Sequence, residues 1–168
     1  PPEKKKVLLL RASSGFVKAK GSEGTVLGEM LKDFGCINIA DNNKNLLESL
    51  SIESIIKEEP YHIFIVTMGS DSKKAESSLF SMIEENPAWS SLLAVKEKRL
   101  HIMDKKLFNL KPDSRWGEAY EILYKTLCEK FSEEVASIVM ELSTAKFAPL
   151  WLEGGKAEYL SKKMVNMT

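Results

Sequence analysis

Two short, unbroken apolar runs constrain this chain most: Val7-Leu8-Leu9-Leu10, and residues 61–67 with Ile63, Phe64, Ile65 and Val66 at their centre. Neither alternates apolar with polar, as a half-exposed strand would, and neither is long enough for a buried helix. The first therefore reads as a strand covered on both faces, and the second as a strand. The second run is rich in β-branched and aromatic residues, the strongest strand signal in the chain. Strands of this kind need helices to cover them, and the intervening sequence supplies helical spacing. Val26, Leu27, Met30, Leu31 and Phe34 recur at three- and four-residue steps, and Gly35 then stops the pattern. Ala75, Leu79, Met82 and Ile83 form a second stripe, broken at Asn86-Pro87, and Trp116, Ala119, Tyr120, Leu123 and Leu127 form a third.

The remaining segments are read more briefly. Residues 36–39 and 99–103 are short strands, residues 40–50 an exposed polar loop, and residues 104–113 a loop. Ser51 caps a helix over residues 52–59 that Pro60 ends, and Pro87 opens a short helix running to Leu93. Strands alternating with helices predict an α/β fold: a three-layer sandwich with a mostly parallel central sheet and helices on both faces. Val135, Ile138, Val139 and Leu142 continue the helical spacing beyond Phe131, and Pro149 and Gly154-Gly155 interrupt it. Residues 131–168 read as an appended helical hairpin, since so short a stretch rarely builds its own core.

Charge narrows the function. Lys and Arg number 24 and Asp and Glu 24, so the net charge is zero, which excludes a nucleic-acid partner held by bulk electrostatics. No apolar run approaches the roughly 20 residues of a membrane helix. The N-terminal lysines precede only four apolar residues, too few for the core of a signal peptide. Cys36 and Cys128 are too few for a disulfide scaffold and stand at no metal-ligand spacing. His62 and His101 lie inside apolar runs and read as strand packing. Phosphate-loop, dinucleotide, nucleophile-elbow and zincin motifs are missing, so no catalytic residue, metal ligand or cofactor is assigned. Glu58-Glu59 and Glu84-Glu85 read as solvated helix ends.

A parallel sheet binds ligands beyond the carboxyl ends of its strands. Those ends read Arg11-Ala12-Ser13-Ser14-Gly15, Thr67-Met68-Gly69-Ser70-Asp71, and residues 104–109. Arg11 is the most pointed of them, because a fixed guanidinium holds an anionic oxygen pair with two parallel bonds. Position alone allows a salt bridge to a neighbouring carboxylate equally well.

The order of these segments resembles a known family. Val7-Leu8-Leu9-Leu10-Arg11-Ala12-Ser13-Ser14, Lys18-Ala19-Lys20-Gly21-Ser22, and the stretch 30–41 ending Asn38-Ile39-Ala40-Asp41 match it first. Leu50-Ser51-Ile52-Glu53, Glu59-Pro60, Asn86-Pro87-Ala88-Trp89, and Leu107-Phe108-Asn109-Leu110-Lys111-Pro112 with Arg115-Trp116-Gly117-Glu118 follow in the same order. The chain is similar here, over about residues 6–128, to the second lobe of class III (TroA-like) periplasmic binding proteins, the ABC-transporter substrate-binding proteins for iron-siderophores, haem and cobalamin.

The resemblance implies residues 1–130 as the C-terminal substrate-binding lobe, residues 131–168 as a helical extension, and a missing N-terminal lobe of the same protein preceding Pro1. It implies a ligand site of Arg11, Ser13, Ser14, Met68, Gly69, Phe108 and Asn109, with Lys18, Lys20 and Lys44 as rim cations. It assigns Glu53 to docking on an ABC permease. An extracytoplasmic address follows, periplasmic or as an anchored lipoprotein, with a ferric siderophore, haem or corrinoid as the carried chelate. Tyr61-His62 departs from the family pattern, which has an acidic residue and an aliphatic there. Two other functions stand beside this one: a small α/β enzyme acting on an anionic metabolite through Arg11 and the Gly69 loop, and a structural or regulatory interaction domain using Glu53 and the tail of residues 131–168 as protein contacts.

Overall fold

A computed structural model describes residues 5–128. Their contacts form two units that divide between Lys111 and Pro112. The first unit is built on β1 (Lys6–Ala12), β2 (Val17–Ala19), β3 (Ile37–Asn38), β4 (His62–Thr67) and β5 (Leu100–Met103). The sheet order is β2-β1-β4-β5, with β3 beside the start of β1. β1 runs parallel to β3 and β4, and β4 parallel to β5, while β2 folds back antiparallel on the end of β1. The sheet is mostly parallel, as its uninterrupted apolar strands require. All six residues of β4 are buried.

Strand alternation gives each residue a face. Leu8, Leu10 and Ala12 of β1 join Ala19, Ile63 and Ile65 in one core. That core is covered by α2 (Lys44–Ser49), α3 (Ile52–Glu58), α4 (Ser72–Glu85) and α5 (Pro87–Ser91), which contribute Leu46, Ile55, Ala75, Leu79 and Trp89, and by Ala94 of α6 (Leu93–Lys96). Val7, Leu9 and Arg11 point the other way, beside α1 (Val26–Asp33) and α7 (Lys105–Phe108), whose Leu27 and Phe108 share a recess with Leu9. Helices thus lie on both faces of the sheet.

The second unit holds a 3-10 turn (Asp113–Arg115) and α8 (Trp116–Leu127), with Ala119, Tyr120, Leu123 and Leu127 buried along one stripe. At its start the Arg115 guanidinium donates to both carboxylate oxygens of Glu118 at 2.7 Å, and this bonding lowers the pKa of that carboxyl. The helical hairpin expected over residues 131–168 lies outside the described residues.

The short helix expected from Pro87 to Leu93 is split at the extended Leu92 into α5 and α6, and three further segments differ from expectation. The loop expected over residues 40–50 contains α2, because the Asn43 side chain accepts from the Leu46 amide and Leu46 is buried. The loop expected over residues 104–113, directly after Met103 ends β5, contains α7, capped by the Asp104 carboxylate on the Lys106 amide at 2.7 Å. Residues 17–19, to which the sequence pattern assigns no element, form β2 as the return arm of a hairpin, where the Ser13 amide donates to the Phe16 carbonyl at 2.8 Å.

The helix ends follow the expected chemistry. Ser51 accepts from the Ser54 amide at the start of α3, and Glu59, in the left-handed region at φ 47°, turns the chain into Pro60. Glu58 and Glu59 face solvent at the helix end, and each also makes a contact. Glu58 pairs with Lys6 at 2.9 Å, and Glu59 Oε1 accepts from the Leu93 amide. Arg99 is buried, donates to the Tyr61 carbonyl at 2.7 Å, pairs with Glu97 and stacks 3.9 Å from the Tyr61 ring centre.

Candidate functional site

Because β1, β4 and β5 are parallel, their carboxyl ends share one rim. Arg11 stands there in register with Val66 on one side and Lys18 on the other, and Val66 is in register with Met103. Alternation turns Arg11 away from the core of Leu8, Leu10 and Ala12. It lines a small recess with Leu9, Lys20, Leu27, Val66, Phe108 and Asn109. The recess measures about 10 Å³, room for about one water. A ligand therefore meets an open wall here, not a cavity. Arg11 is half-buried, and among the described residues no carboxylate pairs with it.

The neighbouring cations are positioned by backbone pairing. Lys18 shares the Arg11 face through the antiparallel register of β2, and its ammonium lies 5.1 Å from the centre of the exposed Phe16 ring. The Lys20 amide donates to the Leu9 carbonyl at 2.9 Å, extending the hairpin by one step and bringing Lys20 to the recess. Asn38 is buried and donates to the Lys20 carbonyl at 2.8 Å while accepting from the Ala40 amide. Asp41 accepts from the Ser22 amide at 2.6 Å and from the Ser22 hydroxyl at 2.8 Å. Gly28 lets α1 approach this loop: a Cβ there would lie 2.7 Å from Ser22 Cα.

The other expected site residues fall in different places. Phe108, 2% exposed, and the half-buried Asn109 line the recess with Arg11 and Lys20. Met68 and Gly69 stand at the same rim without lining it. The Met68 amide donates to the Ala12 carbonyl, and the Gly69 carbonyl accepts from Lys105 Nζ at 2.9 Å. Ser13 accepts from the Gly15 and Phe16 amides, so its hydroxyl closes the hairpin turn. The Ser14 carbonyl accepts from Ser78, and Ser14 lines an open groove of about 810 Å³ along α4 with Met82 and Trp89, apart from Arg11. Lys44 is exposed at the first turn of α2, whose Leu46 enters the opposite core, and it does not line the recess. Glu53 is exposed in the first turn of α3, where the helix end favours its negative charge.

Sequence reasoning gives no role to Phe16, Asn38, Asp41 or Lys105 in this neighbourhood. For Asn38 the available signal is a polar residue between Ile37 and Ile39 in a short apolar strand. The two histidines, 39 positions apart, meet on the Phe64 face with Nδ1 of His62 2.9 Å from Nε2 of His101. Among the described residues, no cluster of three or more His, Cys, Asp or Glu side chains is arranged to hold a metal ion. None of the described helices is long and apolar enough to cross a membrane.

Chemically, the wall offers a guanidinium, two ammonium groups, a side-chain amide and apolar contacts. These suit a guest with clustered anionic oxygens and an apolar rim.

Comparisons with known proteins agree with this architecture. The family model for periplasmic binding proteins matches residues 2–107. The fold is similar to that of haem-bound IsdE from S. aureus, with a TM-score of 0.61 and 18% identity over 75% of this chain and 48% of that one. It is similar to an ABC transporter substrate-binding protein from Listeria monocytogenes, with a TM-score of 0.57 and 23% identity over 74% of this chain and 48% of that one. The periplasmic haem-binding protein RhuT from Roseiflexus sp. RS-1 gives a TM-score of 0.58 and 20% identity over 75% of this chain and 46% of that one. This chain thus spans about half the length of these proteins. Comparison with curated sequences gives no match. With the family match covering well over half of its residues, the chain belongs to the periplasmic binding protein family.

Proposed function

We propose that this chain is the ligand-contacting C-terminal lobe of an extracytoplasmic ABC-importer receptor, carrying an anionic metal chelate such as a ferric siderophore, haem or a corrinoid. The observation that supports this most is Arg11 at the rim, half-buried and paired with no carboxylate among the described residues, with Lys18 and Lys20 on the same face. The chelator supplies the metal's ligands, so the protein contributes only cations for the chelator's charge and apolar walls for its rim. A second lobe, beyond this chain, closes the cleft and buries the ligand. Glu53, exposed on α3, docks the loaded receptor on an ABC permease through ion pairs. Transport, not turnover, is the function.

The test is a titration of the full-length, two-lobed receptor with a ferric tricatecholate, a ferric trihydroxamate and haemin, followed by tryptophan quenching. Saturable binding of one class is expected. Binding of none of them by the two-lobed receptor would overturn the proposal, and turnover of an anionic metabolite would favour the enzyme reading.

A further inference from the structure

We propose that Asn38 and Asp41 are positioning residues that hold Lys20 beside Arg11, an inference that rests on the receptor reading above. Of the two cations that line the recess, Arg11 sits within β1, whereas Lys20 lies just outside β2, where the ladder is reduced to the single bond from the Lys20 amide to the Leu9 carbonyl. Three side-chain hydrogen bonds reinforce that single bond. The Lys20 carbonyl receives the buried Asn38 amide at 2.8 Å, and two residues later Asp41 receives both the amide and the hydroxyl of Ser22. Thr25 adds a hydrogen bond to the Gly21 carbonyl at 3.1 Å. The stretch from Lys20 to Ser22 is thereby bonded at each of its residues. A flexible ammonium side chain gains most from a fixed stem, because ordering it on binding costs entropy.

A double-mutant cycle tests the assignment, read as the affinity of the full-length, two-lobed receptor for a hexadentate ferric tricatecholate at two salt concentrations. Asn38→Ala and Lys20→Ala are each expected to weaken binding about fivefold, the double variant no more than the worse single one, since contacting residues couple non-additively. Both single variants should flatten the salt dependence, as loss of one cation from the site requires. If Asn38→Ala fails to fold, the exposed Asp41 keeps the test open. Asp41→Ala should weaken binding, and Asp41→Asn, which keeps an acceptor for the Ser22 amide, should restore it. Effects that multiply, or an unchanged salt dependence, overturn the positioning role while leaving the receptor reading intact. Failure of the unaltered two-lobed receptor to bind any chelate overturns both.

Discussion

Gly28 carries the sharpest stability prediction. A Cβ at this position would sit 2.7 Å from both Cα and the carbonyl oxygen of Ser22, and against the Thr25 hydroxyl. Carbon contacts require roughly 3.5 Å, so Gly28→Ala must push α1 and the Ser22 loop apart by about 0.8 Å. The loop resists, because Ser22 is bonded twice to Asp41 at 2.6 and 2.8 Å. Overpacking of this kind costs about 1–3 kcal/mol, and weakening a hydrogen bond to a carboxylate adds about 1.5 kcal/mol. Alanine returns about 1 kcal/mol of helix propensity. The balance is a loss of about 2 kcal/mol, or about 4–8 °C in Tm for a chain of this size. Thermal unfolding followed by far-ultraviolet circular dichroism measures it. An unchanged or raised Tm would refute the close approach of α1 to Ser22.

Other predictions follow from single environments. Phe108→Ala removes a side chain that is 2% exposed, and chemical denaturation should show a loss of about 3–5 kcal/mol. Asn43→Ala removes the cap of α2 and should cost about 1 kcal/mol in the same assay. Burial pushes the Cys36 thiol up to about 11, against an ordinary value of 9.0. Its alkylation at pH 8 should therefore run about a hundredfold slower than that of an ordinary thiol, through loss of thiolate. The raised pKa also sets a sign: the folded state holds the proton more tightly, so stability is full below pH 9.0 and falls as pH rises through about 11. Lys6→Ala breaks the exposed pair with Glu58 and should cost under about 1 kcal/mol, less at high salt.

The apolar runs make the sheet legible, because a strand buried on both faces has few alternatives. Helices with full stripes, such as α4 and α8, are legible for the same reason. α2 and α7 are not. They have six and four residues, too short to show a stripe, and each is started by one side chain, Asn43 or Asp104, whose capping role depends on the local turn. β2 is hidden because three residues give no periodicity, and its pairing comes from the hairpin turn that Ser13 closes.

The site divides in the same way. Arg11, Phe108 and Asn109 emerge from reading strand ends, and the fold brings them together with Lys20. Ser13 and Ser14 follow Arg11 in sequence, but the turn consumes one hydroxyl and directs the other residue toward α4. Proximity in sequence does not survive a tight turn. Asn38 and Asp41 lie 18 and 19 positions from the residues they hold, a relationship that only the folded chain displays.

The central claim is that Arg11 contacts the anionic guest. Fluorescence titration of Arg11→Ala against the unaltered protein, both as the full-length, two-lobed receptor and both shown folded, with a ferric tricatecholate, tests it directly. Loss of a charge-assisted hydrogen bond of about 1.5–3 kcal/mol predicts affinity weakened by at least about tenfold. Equal affinity in the two proteins would contradict the account and remove Arg11 from the site.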